Sequence, residues 1–311
     1  MRRQSAAAAT LWIERQNPER QQGDRLWKLR VDPVATAPGS DTIQSAVEAG
    51  ALQMKISATI ITHNEAANIR DACESVSWAD EILIVDSEST DNTRQIAAEC
   101  GARVITNRWP GFAQQKQYAV DSAANDWIFS LDADERVSPE LLASIDKLRA
   151  PDERELAAGY RVARRAYYMG RWIRGGGWYP DYQLRLFNRN SGHWGDRVIH
   201  ESVVVKGGGR VETLSGDLLH YSMRDPAHHR RMIEERYAPL GAQQMLRDGK
   251  RTSSLQSTVA GPAAFVRSFV LKGGWRDGRA GLTIASLAAY HASLKHSLLQ
   301  QLQKEDSQPR P

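Results

Sequence analysis

The sequence predicts an α/β fold with a mostly parallel central sheet that is flanked by helices on both faces. From Met54 onward, apolar runs of strand length alternate with segments of helical periodicity. Two of these runs end abruptly in acids, namely Asp86 and the triplet Asp132-Ala133-Asp134. Both features are typical of open α/β sheets, which bind ligands just beyond the carboxyl ends of their strands.

The predicted elements follow one another in a regular order. Strands are predicted at residues 56–61, 81–86, 103–105 and 127–131, and helices at 66–76, 92–100 and 112–123. Gly101 stands where a glycine commonly follows a helix C-terminus. The turn at residues 62–68 contains no glycine, and the chain has no G-x-x-x-x-G-K-[ST] sequence. A Rossmann dinucleotide site and a P-loop are therefore excluded.

Further segments follow this alternating region. A helix is predicted from Pro139 to about Arg149, and another starts at Asp225-Pro226, is interrupted at Pro239 and ends near Gly249. Residues 250–262 are predicted to be a linker. Residues 263–311 are predicted to be an amphipathic helical tail with a break at Gly273-Gly274.

Composition narrows the classes of function. Of the 311 residues, 41% are hydrophobic and 25% are charged, as in ordinary soluble globular proteins. The net charge of +4 is too small to indicate a nucleic acid partner. Cys73 and Cys100 form no metal or redox spacing, and no apolar run has transmembrane length. Residues 1–53 lack periodicity and are predicted to be a disordered leader, so that Met54 is a candidate start of translation.

The triplet Asp132-Ala133-Asp134 is the candidate metal site. In extended backbone, residues i and i+2 point to the same side, so both carboxylates can face one point. Two carboxylates at a strand end suit a hard divalent cation that is shared with substrate phosphates. The alternative is a solvated loop that leads into the helix beginning near Pro139.

A second candidate surface is the region from Gly159 to Tyr221, which is rich in Arg, Trp, Tyr and Gly. Its centre contains Trp172, Trp178 and Tyr179 around a run of glycines. Aromatic faces backed by polar groups suit sugar rings, whose C–H faces are apolar and whose edges form hydrogen bonds. A packed aromatic cluster beside a glycine loop would give the same composition, and the sequence leaves both interpretations open.

Six motifs in order resemble the family 2 glycosyltransferases, which have the GT-A fold. Within that family the chain looks like the bacterial branch of lipopolysaccharide core glucosyltransferases. The resemblance covers about residues 54–299. It rests on IITHNE (60–65), ADEILIVDSESTDNT (79–93), WPGFAQQK (109–116), SLDADER (130–136), GGWYPDYQLRLF (176–187) and VIHESV (198–203).

The resemblance implies a donor site. Thr62 and His63 would line the uracil pocket of a UDP-sugar with Glu65 beside them, and Asp86 would hydrogen-bond the base or ribose. Lys116 would supply a cation near the nucleotide, although on an exposed helix it would be a solvated lysine. Asp132 and Asp134 would hold Mg²⁺ or Mn²⁺ against the diphosphate and so neutralise charge on the departing UDP. Because the family usually has glycine at position 88, Glu88 is expected to alter the turn after Asp86.

The acceptor side needs a general base. An inverting transfer uses one carboxylate to take the proton of the attacking hydroxyl. Asp181 lies in the segment that matches the acidic motif of the family and is favoured over Glu201, which lies next to His200 on the acceptor side. Gln183 and Arg185 are expected to bind the donor diphosphate or anionic groups of the acceptor.

The resulting interpretation is an inverting, metal-dependent hexosyltransferase. It would move glucose from UDP-glucose to a lipid-linked saccharide such as the inner core of lipopolysaccharide, with a nucleotide-binding half at 54–136 and an acceptor half at 137–249. One alternative is transfer to a polyprenyl phosphate, which is already ionised and needs no base. A second alternative is a sugar-nucleotide binding module without catalysis.

The tail indicates where the enzyme works. Ile284, Leu287, Leu294 and Leu298 recur at helical spacing, and basic residues lie nearby. A basic amphipathic helix lies in the headgroup plane of an anionic membrane, although the same pattern fits packing on the protein itself. A lipid-linked acceptor favours the first interpretation, and with it a peripheral protein on the cytosolic face of the inner membrane.

Overall fold

The computed structural model describes residues 54–150, 155–195, 202–221, 223 and 225–306. The predicted leader at 1–53, His200 and Glu201 lie outside these residues. The strands are β1 (Ile56–Thr62), β2 (Glu81–Asp86), β3 (Arg103–Thr106), β4 (Trp127–Asp132), β5 (Glu135–Val137), β6 (Gly159–Tyr168), β7 (Arg171–Trp172), β8 (Asp181–Asn188), β9 (Gly192–Trp194), β10 (Val203–Val205) and β11 (Val211–His220).

Helices alternate with the first strands and make up most of the C-terminal part. They are α1 (Ile69–Ser75), α2 (Thr93–Glu99), α3 (Phe112–Ser122), α4 (Pro139–Arg149), α5 (Pro226–Met232), α6 (Ala238–Arg247), α7 (Ser254–Val266) and α8 (Gly278–Asp306). Shorter 3₁₀ or π-helical turns cover Lys206–Gly208, Ile233–Tyr237, Arg267–Leu271 and Gly274–Asp277.

Within the described residues the main sheet has the strand order β3-β2-β1-β4-β8-β6-β11-β5, with β7 paired to β6. Strands β3, β2, β1 and β4 are parallel, and β8 runs antiparallel to β4. The predicted α/β fold with a mostly parallel central sheet and a C-terminal helix is therefore confirmed, and it has the organisation expected of a GT-A fold.

The chain divides into two compact units. Of the described residues, the first unit comprises those up to Arg161 together with those within Leu184–Gly216, and the second comprises Val162–Gln183 and those from Asp217 on. The first unit has a core of strand and helix side chains that includes Leu83, Val85, Ile128 and Phe187. In the second unit a smaller cluster is formed by Tyr168, Ile173, Ala280 and Ile284, with Trp178 and Met223 packed against it.

The predicted linker at 250–262 is wrong for most of its length, because α7 begins at Ser254. A capping box starts this helix: the Ser253 hydroxyl accepts a hydrogen bond from Gln256 N (3.3 Å), and the Gln256 side chain accepts one from Ser253 N (2.9 Å). This Ser-x-x-Gln pattern is a helix-start signal that the sequence already contained. The polar composition of the start of this segment does not indicate the helix that follows.

The long helix α8 does not present its whole apolar face to solvent. Ile284, on the side predicted to meet a membrane, is buried within the second unit, and Leu287, Leu294 and Leu298 on the same side are partly buried. Pattern alone could not decide this, since core packing and membrane binding require the same spacing. In the part of the chain that the structure describes, no helix is both long and apolar enough to cross a lipid bilayer.

Candidate active site

The register of three parallel strands brings the predicted donor residues to one edge of the sheet. Thr62 at the end of β1 lies opposite Asp86 at the end of β2, and Ile61 lies opposite Asp132 at the end of β4. Strand β1 is central and almost fully buried, and four of its seven residues are apolar. The edge beyond these strand ends belongs to the first unit.

Asp86 organises the turn that follows β2. It is fully buried, and its carboxylate accepts hydrogen bonds from Thr62 Oγ1 (3.0 Å), Ser89 N (2.9 Å) and Ser89 Oγ (2.5 Å). Glu88 has a φ of +58°, a left-handed conformation that residues other than glycine rarely adopt. The hydrogen bonds from Ser89 to Asp86 hold the turn in this conformation.

His63 lies exposed beside this turn. Its Nδ1 is 2.7 Å from the carbonyl oxygen of Ser87. Because a carbonyl oxygen only accepts, Nδ1 is assigned the hydrogen and donates a hydrogen bond to that oxygen. Nε2 is then the acceptor, and the Asn64 amide donates to it at 3.2 Å. Both nitrogens of the ring are engaged, and the face of the ring remains for a planar base. Glu65 follows directly and accepts a hydrogen bond from Asn68 Nδ2 at 2.8 Å.

Asp132 is held between two cations. Lys116 Nζ lies 2.9 Å from Oδ1, and Arg185 Nη2 lies 2.9 Å from Oδ2. Lys116 is buried and also lies 4.7 Å from the centre of the Trp194 ring. The interpretation of Lys116 as a solvated surface lysine is therefore wrong, because α3 directs it into the strand-end cluster rather than into solvent.

Arg185 also pairs with a carboxylate that has no place in the sequence prediction. Its Nη2 donates to Glu135 Oε1 at 2.6 Å, and Glu135 Oε2 accepts from Asp132 N at 3.0 Å. Arg185 is 3% exposed and Glu135 is 0% exposed. Glu135 lies within the SLDADER motif, but only the antiparallel pairing of β8 with β4 brings Arg185 to it.

The ionisation of this cluster is fixed by its charges. Burial alone would raise the pKa of Asp132, but the guanidinium of Arg185 and the ammonium of Lys116 outweigh it and hold that pKa well below the usual range. Burial would also lower the pKa of Arg185, which Asp132 and Glu135 raise instead. Asp132 and Arg185 are thus both charged at neutral pH.

Arg185 retains the capacity to bind an anion. Its Nε and Nη1 are buried and have no hydrogen-bond partner among the described residues. Buried donors are nearly always satisfied in folded proteins, so such a pair of donors needs a water molecule or a ligand. The planar guanidinium fork is well suited to a phosphate group.

Asp134 lies half-buried in the turn between β4 and β5, and its charge acts on Arg185. The buried Arg136 fixes this turn by donating from Nη1 to the carbonyls of Ala133 (2.9 Å) and Glu135 (2.8 Å). Within the described ranges, no group of three His, Cys, Asp or Glu side chains could hold a metal by itself. Asp132 and Asp134 supply two carboxylates, and this donor set fits a cation that arrives with a diphosphate, since Mg²⁺ commonly uses one or two carboxylates plus substrate oxygens.

The second unit holds the predicted base. Arg164 Nε and Nη2 donate to Asp181 Oδ2 at 2.9 and 2.6 Å, and Gln183 Nε2 donates to Oδ1 at 2.8 Å. The side chain of Asp181 is still partly exposed. Gln183 thus orients Asp181, a contact that the sequence does not reveal.

The three predicted aromatic residues differ in their surroundings. Trp178 packs against Tyr168 and His229, with ring centres 5.4 and 5.3 Å away. For this residue the packing supports a packed aromatic cluster rather than a sugar-binding surface. Tyr179 donates from its hydroxyl to Asp217 Oδ1 at 3.0 Å, and burial and this bond raise its pKa. Trp172 is half-buried between aromatic neighbours and under the guanidinium of Arg165.

Comparison with known proteins identifies relatives of the chain. Residues 57–203 match Glycosyl transferase family 2. The lipopolysaccharide core biosynthesis glycosyltransferase LpsC of Rhizobium meliloti (strain 1021) is 33% identical over 262 residues, which are 78% of this chain and 90% of the relative. An uncharacterized glycosyltransferase of Rickettsia felis is 31% identical over 262 residues, which are 79% of this chain and 91% of the relative.

Among solved structures, the chain is similar to glucosyl-3-phosphoglycerate synthase of Mycobacterium tuberculosis in complex with Mn²⁺, UDP and glucosyl-3-phosphoglycerate. The identity is 24% and the TM-score is 0.30, with 45% of this chain and 53% of that chain covered. The chain thus spans about half the length of that synthase.

Proposed function

The chain belongs to glycosyl transferase family 2 and is a glycosyltransferase, and we propose that it moves glucose from UDP-glucose to a lipid-linked saccharide such as the inner core of lipopolysaccharide. The relationship to the R. meliloti protein, whose name refers to lipopolysaccharide core biosynthesis, supports this class of acceptor. The observation that carries the donor half is the pair of unsatisfied donors on Arg185 beside the doubly paired Asp132.

For the donor, we propose that the exposed face of His63 stacks on uracil while Thr62, Glu65 and Asp86 shape the pocket around the base and ribose. The hydrogen bonds of Asp86 to its own turn make it mainly a shaping residue. Arg185 and Lys116 bind the diphosphate through charge-assisted hydrogen bonds. Lys116 is then shared between Asp132 and the ligand.

Asp134, with Asp132, would hold Mg²⁺ or Mn²⁺. When bound, the cation neutralises charge on the departing diphosphate. The role of the chain itself is to keep Asp132 ionised at every physiological pH through Arg185 and Lys116, and to fix the turn of Asp134 through Arg136.

For the transfer, the acceptor hydroxyl oxygen forms a bond to the anomeric carbon from the side opposite UDP. The bond between that carbon and the UDP oxygen breaks, its electron pair leaves with UDP, and the configuration inverts. Asp181 takes the hydroxyl proton as general base, while Arg164 and Gln183 hold its carboxylate in place. Trp172, Tyr179 and His200 are assigned to the acceptor side, and Glu201 is the competing base. Trp178, directly before Tyr179 in sequence, belongs to the packed aromatic cluster.

Two alternatives make different predictions. A polyprenyl-phosphate acceptor is already ionised, so Asp181→Asn would leave its glucosylation nearly intact. A sugar-nucleotide binding module would bind UDP-glucose and release no UDP. The contacts with Arg164 and Gln183 hold the carboxylate of Asp181 in one orientation, which a general base needs.

For location, we propose a peripheral protein on the cytosolic face of the inner membrane. Residues 54–136 supply the nucleotide-binding half, 137–249 supply most of the acceptor half, and the tail from 263 contributes to attachment. A chain that begins at Met54 is expected to fold and act normally.

The test is a donor screen that measures UDP or GDP release with lipid extracts as acceptors, with Mn²⁺ or excess EDTA. We expect UDP release from UDP-glucose that depends on both lipid acceptor and metal, and that is lost in Asp134→Asn. Full activity of Asp134→Asn in EDTA would exclude the metal role, and GDP release in preference to UDP release would overturn the donor assignment.

A further inference from the structure

The second unit contains a cationic cleft whose charged residues have no part in the chemistry proposed above. Its volume is about 780 Å³, and its charged lining consists of Arg165, Arg174, Lys272 and Arg276. Tyr179 and Trp275 add aromatic walls. No carboxylate lies among the lining residues that the structure describes, and the four cations make the interior of the cleft positive.

Three of the four cations have no ion-pair partner among the described residues. The exception is Arg165, whose Nη1 lies 3.7 Å from Asp217 Oδ2. Arg174, Lys272 and Arg276 are exposed and form no ion pair with any residue that the structure describes. Like charges held around one cleft repel each other, and an anion placed among them relieves that repulsion and gains charge-assisted hydrogen bonds.

The cleft is built on a fixed scaffold. The fully buried carboxylate of Asp277 accepts hydrogen bonds from Arg174 N (3.1 Å) and Gly175 N (2.8 Å). Gly176 N donates to Lys272 O at 2.9 Å. A Cβ on Gly175 would lie 2.4 Å from Gly273 O, so glycine is required for this close approach. Two segments that are about a hundred residues apart in sequence are thereby locked together, with their cations facing one space.

The rim of the cleft is apolar and open. Val270, Leu271 and Trp275 all line it and are 54%, 75% and 61% exposed. Exposed apolar groups beside cations are typical of surfaces that enter the headgroup layer of a membrane, where tryptophan is also favoured. A small soluble anion would use the cations but leave this rim in water.

We propose that this cleft binds the phosphate headgroup of an anionic membrane lipid, with Val270, Leu271 and Trp275 inserted among the acyl chains. The inference rests on the proposed attachment to an anionic membrane and relocates it from the apolar face of α8, where Ile284 is buried, to the cleft and its rim. Charge complementarity and the exposed apolar rim together identify the occupant as a lipid.

The experiment measures co-sedimentation of the full chain with vesicles of equal parts phosphatidylglycerol and phosphatidylcholine, and with vesicles of phosphatidylcholine alone. Lys272→Gln/Arg276→Gln removes two cleft cations, and Arg247→Gln/Lys304→Gln removes two exposed cations elsewhere in the second unit. We expect the first pair to lower affinity for anionic vesicles at least about tenfold and the control pair much less, since each basic residue at the surface contributes on the order of 1 kcal/mol.

A second comparison tests the rim. Leu271→Ser should weaken vesicle binding, while Leu255→Ser, at a residue with nearly the same exposure (73% against 75%), should not. Equal losses in both cation pairs, equal losses in both leucine variants, or no vesicle binding by the wild type would overturn the proposal. Competition by millimolar inorganic phosphate as strong as that by short-chain phosphatidylglycerol would overturn it in favour of a soluble anion.

The donor site provides an independent readout. UDP binding by the four variants should match that of the wild type, because none of the substituted residues belongs to the strand-end cluster. If the wild type bound anionic vesicles through the cleft but failed to bind UDP, the proposed function would fail while the lipid site stood. The reverse result would leave the glycosyltransferase assignment in place and remove the lipid site.

Discussion

Both units contain a cluster of cations, but the two clusters differ in burial and in ion pairing. In the first unit, Lys116 and Arg185 are buried and paired with Asp132 and Glu135. In the second unit, Arg174, Lys272 and Arg276 line an open cleft without an acidic partner among the described residues. Buried pairing gives a fixed geometry, which a transfer reaction needs, whereas open unpaired charge gives attraction to an anion that arrives from outside.

The largest expected effect tests the buried side of this comparison. Arg185→Met removes the guanidinium from the buried Glu135 and leaves Lys116 as the remaining cation beside Asp132, and it should lower the free energy of unfolding by about 3–5 kcal/mol. The control is Arg189→Met, which removes a more exposed pair with Asp126 and hydrogen bonds to the carbonyls of Val120 and Ala123, and which should cost less than Arg185→Met. Urea unfolding of both variants is the measurement, and equal small losses would contradict the central role of Arg185.

The next prediction concerns the rate of catalysis. Asp181→Asn should lower kcat at least about a hundredfold, the low end of general-base contributions, without changing UDP-glucose affinity. Asp217→Asn, which removes a carboxylate that contacts Arg165 and Tyr179 in the same unit, is the control. If Glu201→Gln shows the loss and Asp181→Asn does not, the assignment of the base is reversed.

The scaffold of the open cleft is tested by Asp277→Asn. An amide has only one oxygen that accepts hydrogen bonds. The backbone N–H groups of Arg174 and Gly175 would therefore lose one of the two oxygens that now accept from them. We expect a loss of about 2 kcal/mol in stability together with weaker vesicle binding. Normal vesicle binding in a folded Asp277→Asn protein would show that the cleft does not depend on this anchor.

The smallest effect depends on pH. Burial, with the charges of His228 and His291, lowers the pKa of His229 to about 4. Between pH 4 and 6.5 the unfolded chain therefore binds a proton at this histidine that the folded chain does not bind. The free energy of unfolding is highest above pH 6.5 and decreases as the pH falls towards 4. The loss should reach about 2 kcal/mol by pH 5. In His229→Gln the free energy of unfolding should change less over this window, and an unchanged pH profile would contradict the account.

The sequence predicted what depends on local pattern and on motif order. Strand β4, the position of Asp132 at its end and the parallel neighbours of β1 all follow from apolar runs and the acids that end them. It could not predict the pair of Glu135 and Arg185, which lie 50 residues apart and meet through antiparallel pairing with β8. The burial of Lys116 likewise depends on how α3 packs on the sheet.

The tail shows a different limit. Helical periodicity predicted its apolar face correctly, but not that Ile284 would be buried within the protein, because the two environments require the same spacing. Asp277 appeared only as a lone acid among basic residues, and its role depends on a contact with the glycine loop about a hundred residues away. Such long-range contacts leave no signal in a single sequence.

The most direct test of the central claim is to compare the affinities of UDP and uridine by calorimetry with Mn²⁺ present. The account predicts that UDP binds at least about a hundredfold more tightly, the effect of two charge-assisted hydrogen bonds to its diphosphate. The difference should shrink in Lys116→Gln and persist in Lys147→Gln, which changes an exposed lysine on α4. Equal affinities of UDP and uridine, or a preference for UDP that survives Lys116→Gln, would show that the cluster around Asp132 does not bind the diphosphate.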